Sequence, residues 1–135
     1  MVDVSAQDRC TITPINPTTL TAAGGELANG TKNVMINCNC TASDGYIIKI
    51  VRWYGPDGTR LRLAGFVPGT PHILRAGAVD DNTNIILVIP RFNDFYDGTY
   101  TCGRRISVTQ FGQPTGTITL TASELMIIQA VTVHI

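Results

Sequence analysis

The segment Asp97-Gly98-Thr99-Tyr100-Thr101-Cys102 places a tyrosine two residues before a cysteine, at the start of a β-rich run. Upstream of it, Cys38 and Trp53 complete the order Cys, Trp, Tyr-x-Cys along the chain. In a sandwich of two sheets, a disulfide between the two cysteines ties the sheets together and the indole fills the core against it. The tyrosine hydroxyl then holds the corner that leads into the penultimate strand. The segment therefore predicts a disulfide-linked β-sandwich.

The rest of the chain has the same β character. Short runs rich in Val, Ile, Thr and Tyr recur about every ten residues and are broken by Gly, Pro, Asn and Asp, which is typical of a sandwich or barrel. The pattern predicts an edge strand over 9–15, ended by Pro14 and Pro17, and a half-buried strand over 34–40. Further strands are expected at 47–54, 60–66, 72–79, 85–89, 98–109 and 117 to the end. Loops are expected at 23–30 and 110–116, and a corner at 92–97.

These residues resemble the immunoglobulin superfamily over essentially the whole length of the chain, and its variable type in particular. The resemblance implies an all-β, two-sheet Greek-key sandwich in which Trp53, Leu87, Ile89 and Tyr100 are core residues. Family members also carry an arginine that opens the fourth major strand, and Arg75 stands at that position.

One position departs from the family pattern. The aspartate that usually pairs with this arginine belongs where this chain has Tyr96. Asp97 lies one place late and Asp94 two places early. We predict an ion pair between Arg75 and Asp97, with loss of the pair as the alternative.

Four cysteines fit two disulfides. By the family register Cys38 is the inter-sheet partner of Cys102, and Cys40 points to the same face of its strand. In an antiparallel first hairpin Cys10 lies near Cys40, so Cys38–Cys102 with Cys10–Cys40 is the leading pairing. The rival is Cys40–Cys102 with Cys10–Cys38. No metal or other cofactor is expected, because His72 and His134 lack ligand-like spacing to the cysteines.

Composition sets the broad class. The formal net charge is zero and 15% of residues are charged, which argues against nucleic-acid binding and general membrane binding. No run of 18 apolar residues exists to span a bilayer. We expect residues 1–135 to form one domain, with 1–8 and the last few residues as linker. Because no signal peptide follows Met1, we expect the segment to come from a longer precursor, membrane-anchored or secreted, on the extracellular side.

Catalysis is not expected, because no nucleophile with a base, carboxylate pair or phosphate-binding loop is evident. Two sequons, Asn29-Gly30-Thr31 and Asn39-Cys40-Thr41, are candidate N-glycosylation sites. For Asn39, a position inside a strand disfavours occupancy.

A candidate binding face lies on one predicted sheet. With Val51 and Trp53 inward, a period of two sends Ile48, Ile50, Arg52 and Tyr54 outward. Clustered Ile, Tyr and Arg are typical of protein interfaces. The predicted face comprises Ile48, Ile50, Arg52, Tyr54, Arg60, Arg62 and Arg105. As an alternative, the arginines only keep the sheet soluble, or the loop at 110–116 covers the isoleucines.

Three functions stay open at this point. The first is a recognition or adhesion module of a cell-surface receptor, such as a receptor tyrosine kinase or an adhesion molecule, that binds a protein or itself. The second is a spacer domain in a tandem array. The third is a glycosaminoglycan-binding domain that uses the arginines.

Overall fold

The computed structural model describes residues 8–43, 48, 51–63, 69–75, 84–105 and 111–123. These residues form strands and one short 3₁₀ helix, Asp94–Tyr96. The strands are β1 (Arg9–Asn16), β2 (Gly24–Ala28), β3 (Lys32–Thr41), β4 (Arg52–Tyr54), β5 (His72–Arg75), β6 (Ile85–Arg91), β7 (Gly98–Arg105) and β8 (Phe111–Ser123).

The strands form two four-stranded sheets. The first has the order β1-β3-β6-β5 and the second the order β2-β8-β7-β4. Within the described strands every pairing is antiparallel except β2 with β8, which is parallel. Consecutive strands β3 and β4 lie in different sheets, and so do β6 and β7, which is the crossed connection of a Greek-key sandwich. Strand β1 is an edge strand, as predicted.

The core lies between the sheets and follows the alternation of each strand. In β3, Val34, Ile36, Cys38 and Cys40 are buried, while the residues between them are partly exposed. The neighbouring strand β6 and the facing strands β7 and β8 add further buried side chains to this cluster: Ile85, Leu87, Ile89, Tyr100, Cys102, Ile118 and Leu120. Each fully buried aliphatic side chain of this kind contributes roughly 1.5–3 kcal/mol to folding.

The predicted loop at 23–30 is wrong, because Gly24–Ala28 is strand β2. Its pairing partner is β8, which lies about a hundred residues away along the chain, so no local pattern indicates it. Gly24 is required here: its φ is +123°, and a Cβ would collide with the carbonyl oxygen of Thr119. Gly24, one of the glycines that indicated a loop, therefore permits the close parallel pairing.

The predicted loop at 110–116 is also wrong, because β8 already begins at Phe111. The pairing register with β7 shifts between Gly103 and Arg104, and this irregularity leaves Gln113 and Pro114 without register partners, while Gly112 and Gly116 pair with Arg104 and Cys102. Pro114 is among the fully buried side chains of the described residues. Small and cyclic residues serve here to pack the strand closely against its neighbours.

The predicted hairpin after Trp53 is present as a tight turn. Gly58 N donates to the carbonyl oxygen of Gly55, and Gly55 N donates to that of Thr59, each at 2.9 Å. Beyond the turn, the return segment contacts β4 through an isolated bridge between Tyr54 and Arg60. The parts of the predicted strands at 47, 49–50, 64–66, 76–79, 106–109 and 124–135, the last including His134, lie outside the described residues.

Candidate recognition surfaces

The four cysteines form two disulfides inside the sandwich. Cys10 is bonded to Cys40 and Cys38 to Cys102, so the leading pairing is confirmed. The two bridges lie against each other, with the sulfurs of Cys38 and Cys40 3.7 Å apart. All four sulfurs fall within 4.8 Å of one another, a spacing that could suit a metal. Because a metal binds thiolates and these sulfurs are disulfide-bonded, the cluster is a covalent link between strands.

Trp53 packs at the centre of this arrangement. It is fully buried on β4 and lies opposite Cys102 on β7. Its Nε1 donates a hydrogen bond of 2.8 Å to the carbonyl oxygen of Ile85 in the other sheet. The indole therefore fills the core and satisfies its one polar group by linking the two sheets.

Tyr100 holds the corner before β7. Its hydroxyl donates a hydrogen bond of 2.7 Å to the carbonyl oxygen of Tyr96, and the side chain is buried. Burial raises the pKa of the Tyr100 phenol well above its usual range, with smaller contributions from Tyr96, Asp97 and Asp57. The phenol therefore stays protonated as a hydrogen-bond donor at any physiological pH.

The predicted corner ion pair stays a prediction. Asp97 follows the 3₁₀ helix, and its Oδ1 accepts a hydrogen bond of 2.6 Å from the backbone N of Ala122 on β8. Arg75 is exposed at the end of β5 and pairs in register with Ile85. The described contacts of Asp97 thus connect the corner to β8.

The predicted binding face needs two corrections. Tyr54 does alternate with Trp53 and stands outside the core cluster, but it is only 1% exposed because the outer side of β4 is itself covered at this point. Ile48 packs against the core, because its backbone N donates to the carbonyl oxygen of Cys40 on β3 and β4 begins only at Arg52. The alternation from Trp53 therefore does not extend back to Ile48.

The basic part of the face is accessible. Arg60 and Arg62 are exposed and Arg52 is half-buried. We call these three residues the basic edge. Ile73 N donates to the carbonyl oxygen of Arg62, which holds the return segment against β5. Lys49, Ile50 and the side chain of Arg105 lie outside the described residues.

The two sequons differ in their surroundings. Asn29 is exposed in the turn between β2 and β3, where Thr31 donates to the carbonyl oxygen of Ala28. Asn39 is half-buried within β3, and its Nδ2 donates a hydrogen bond of 3.3 Å to Oδ1 of Asn84. The amide nitrogen that a glycan would occupy is therefore more accessible at Asn29 than at Asn39.

Comparisons with known proteins identify the fold. No family model matches the chain, and no curated protein matches it by sequence. Among solved structures, the Dscam1 Ig7 domain (isoform 5) is similar to 84% of this chain and 98% of its own, with a TM-score of 0.52 and 13% sequence identity. The fold is that of an immunoglobulin domain.

Within this immunoglobulin fold, β1, β3, β6 and β5 correspond to the A, B, E and D strands of one sheet. Strands β4, β7 and β8 correspond to C, F and G of the other. Cys38 and Cys102 thus form the B–F inter-sheet bridge, and Trp53 lies on strand C, as the resemblance implied. Within the described residues, no helix combines the length and apolar character needed to cross a membrane.

Sequence reasoning missed a cleft at one end of this immunoglobulin sandwich. The cleft has a volume of about 580 Å³ and lies between the turn after β4 and the 3₁₀ helix. Apolar walls come from Pro56, Leu61, Pro71 and the aromatic rings of Phe95, Tyr96 and Tyr100. The sequence feature that could have indicated the cleft is Phe95, a large apolar residue in an otherwise polar corner. Its side chain is 85% exposed.

Proposed function

We propose that this chain is an extracellular immunoglobulin-like module that recognises a protein partner. The observation that carries the proposal is the pair of disulfides, Cys10–Cys40 and Cys38–Cys102, built into the sandwich. Disulfides of this kind persist in secreted and cell-surface proteins and are rare in the cytosol. We further propose that the parent protein is membrane-anchored, as a receptor tyrosine kinase or adhesion molecule is, or is secreted. No catalytic role is assigned to the domain.

The variable-type assignment belongs to this proposal. Its support is the segment after the turn at Gly55–Thr59, which returns beside β4 through the bridge between Tyr54 and Arg60. Variable domains extend the same sheet with additional strands at this edge.

The basic edge is the surface we propose for recognition. Arg60 and Arg62 project from a backbone held on both sides, by Tyr54 through the bridge at Arg60 and by Ile73 through its hydrogen bond to Arg62. Arginine is enriched at protein interfaces and at their energetic centres. Side chains on a fixed backbone lose less entropy on binding, so they suit this role better than a mobile loop.

A second function, spacer, has its own supporting observation. The outer surface of β7 and β8 carries exposed threonines at Thr99, Thr117, Thr119 and Thr121. The hydroxyls of Thr99 and Thr119 lie 2.8 Å apart across the two strands. A sheet face made of hydroxyl groups is well solvated and needs no partner, which suits a domain that only separates its neighbours.

Binding of the secreted, fluorescently labelled domain to intact cells separates these functions. We expect binding that protease treatment of the cells abolishes and heparinase treatment leaves unchanged. Arg60→Glu/Arg62→Glu should remove this binding, and Arg91→Glu should not alter it. Arg91 is the matched control, an exposed arginine on the other sheet.

Two outcomes would contradict recognition of a protein. Absence of binding to every cell type and to purified extracellular matrix would leave the spacer as the function. Binding that heparinase treatment alone abolishes would assign the arginines to a glycosaminoglycan.

A further inference from the structure

The cleft at the 3₁₀ corner combines an apolar interior with a negative rim. Its aromatic wall is an edge-on pair, with the rings of Phe95 and Tyr96 5.5 Å apart at 85°. Asp57 and Asp97 both line this cleft, one from the turn after β4 and one from the corner. Among the described residues that line it, none carries a positive charge.

The volume and lining of the cleft fit a ligand site. About 580 Å³ lies within the range of roughly 300–1,000 Å³ found for binding clefts, which are mostly apolar with a few placed polar groups. Phe95 is 85% exposed, and a large apolar ring of this kind at the mouth of a cleft is well suited to burial by a partner.

Both carboxylates are held in place before any ligand arrives. Asp57 accepts hydrogen bonds from the backbone N of Thr59 at 2.9 Å and from its hydroxyl at 3.0 Å. These bonds lower the pKa of Asp57 and keep it ionised. Asp97 is fixed through Oδ1 by the backbone N of Ala122.

The aromatic wall is also fixed. Asn93 caps the 3₁₀ helix, and its Oδ1 accepts a hydrogen bond of 2.8 Å from Phe95 N. Gly98 brings the corner against the turn after β4, because its missing Cβ leaves room for the ring of Pro56. A preorganised site of this kind spends little free energy on ordering when it binds.

We propose that this cleft receives an arginine side chain from a protein partner. The guanidinium lies against the rings of Phe95 and Tyr96 and is neutralised by Asp57 and Asp97, in place of the pair between Arg75 and Asp97 that the family resemblance implies. Its aliphatic stem contacts the apolar walls. A guanidinium is planar, stacks on aromatic rings and binds carboxylates in a directed manner, which a compact ammonium does not. The proposal depends on the proposed function for the partner, but none of the three arginines of the basic edge is among the residues that line the cleft.

Nuclear magnetic resonance titration of the ¹⁵N-labelled domain with Nα-acetyl-arginine methylamide tests the cleft directly. The matched probe is the citrulline derivative, which keeps the shape of arginine but carries no charge. We expect saturable shifts of the amides at 55, 57–61, 70 and 95–97, with a dissociation constant of roughly millimolar order, and no saturation with citrulline.

Variants of the chain locate the charge. Asp57→Asn/Asp97→Asn keeps one oxygen at each position for the hydrogen bond from the backbone N of Thr59 or Ala122, and should weaken binding roughly tenfold. Phe95→Ala should weaken it roughly fivefold, and this variant should fold because the ring it removes is exposed. Asp94→Asn is the control: it removes one carboxylate charge from the adjacent 3₁₀ helix, at a residue that does not line the cleft, and should bind as the wild type does.

Equal binding of arginine and citrulline, shifts at another surface, or an equal effect of Asp94→Asn would overturn the proposal. Amide shifts at the cleft that change with protein concentration when no probe is present, and that Arg62→Glu removes, would show that a second copy of this chain occupies the cleft instead. Because the probe is a small molecule, a positive titration stands even if the domain binds no cell, so failure of this proposal and failure of protein recognition are distinguishable.

Discussion

The hydroxyl of Tyr100 donates a 2.7 Å hydrogen bond to the carbonyl oxygen of Tyr96, four residues earlier in the chain. This bond closes the corner that carries Phe95 and Asp97, so it connects the core of the sandwich with the proposed arginine cleft. The same residue pair is therefore both a stability element and a support for a surface.

Tyr100→Phe should destabilise the domain by about 1–2 kcal/mol, because it removes one buried hydrogen bond and leaves the Tyr96 carbonyl without its donor. Urea unfolding at neutral pH measures the change. We also expect Tyr100→Phe to weaken the binding of arginine at the cleft. An unchanged free energy of unfolding would contradict the role assigned to this bond.

The pH dependence of Tyr100→Phe gives a separate test. Burial raises the pKa of Tyr100 above that of the unfolded chain. The stabilisation is therefore fully present below about pH 10, where both states keep the proton, and is lost as the pH rises further. The stability difference between wild type and Tyr100→Phe should be constant near neutral pH and shrink above about pH 10. A difference that stays constant through that range would contradict the raised pKa.

Gly98→Ala should cost about 2 kcal/mol or more. Gly98 has a φ of +136°, and a Cβ there would lie 2.6 Å from Cβ of Pro56. Gly30→Ala is the control, since Gly30 has a φ of +91° but a Cβ added there would meet nothing within 4 Å. The control should cost about 1 kcal/mol from backbone strain alone. If Gly98→Ala and Gly30→Ala lose equal free energy of unfolding in urea, the contact with Pro56 contributes nothing to the cost.

The two sequons should behave differently when the chain passes through a eukaryotic secretory pathway. We predict a glycan on exposed Asn29 and none on Asn39, whose amide is bonded to Asn84 within β3. Intact mass should fall by one glycan in Asn29→Gln and show no glycan loss in Asn39→Gln. A glycan on Asn39 in the folded, secreted domain would contradict the observed burial of that strand position.

The sequence predicts those parts of the fold that depend on inward side chains in a fixed spacing. Trp53, Tyr100 and the cysteines are of this kind, because their chemistry requires a particular partner in the core. Strand β2 could not be predicted in this way, since its hydrogen bonds run to a distant strand and its glycines resemble a loop.

The surface was harder to predict than the core. Alternation correctly placed Tyr54 on the side of β4 opposite Trp53, but it does not reveal whether that side is covered. Ile48 was misplaced because β4 begins only at Arg52, whereas the strand predicted from the sequence spans 47–54. The cleft depends on the approach of two segments about forty residues apart, the turn at Pro56 and the corner at Phe95, which no spacing in the sequence indicates.

The central claim is that this chain folds as an oxidised immunoglobulin sandwich of the extracellular space. Disulfide mapping of the secreted, unreduced domain tests this claim most directly. Because Cys38 and Cys40 fall in one peptide, electron-transfer fragmentation of the backbone between them distinguishes the two pairings. The account predicts Cys10–Cys40 and Cys38–Cys102 with no free thiol. Cys40–Cys102 with Cys10–Cys38, or reduced cysteines in the folded protein, would contradict it.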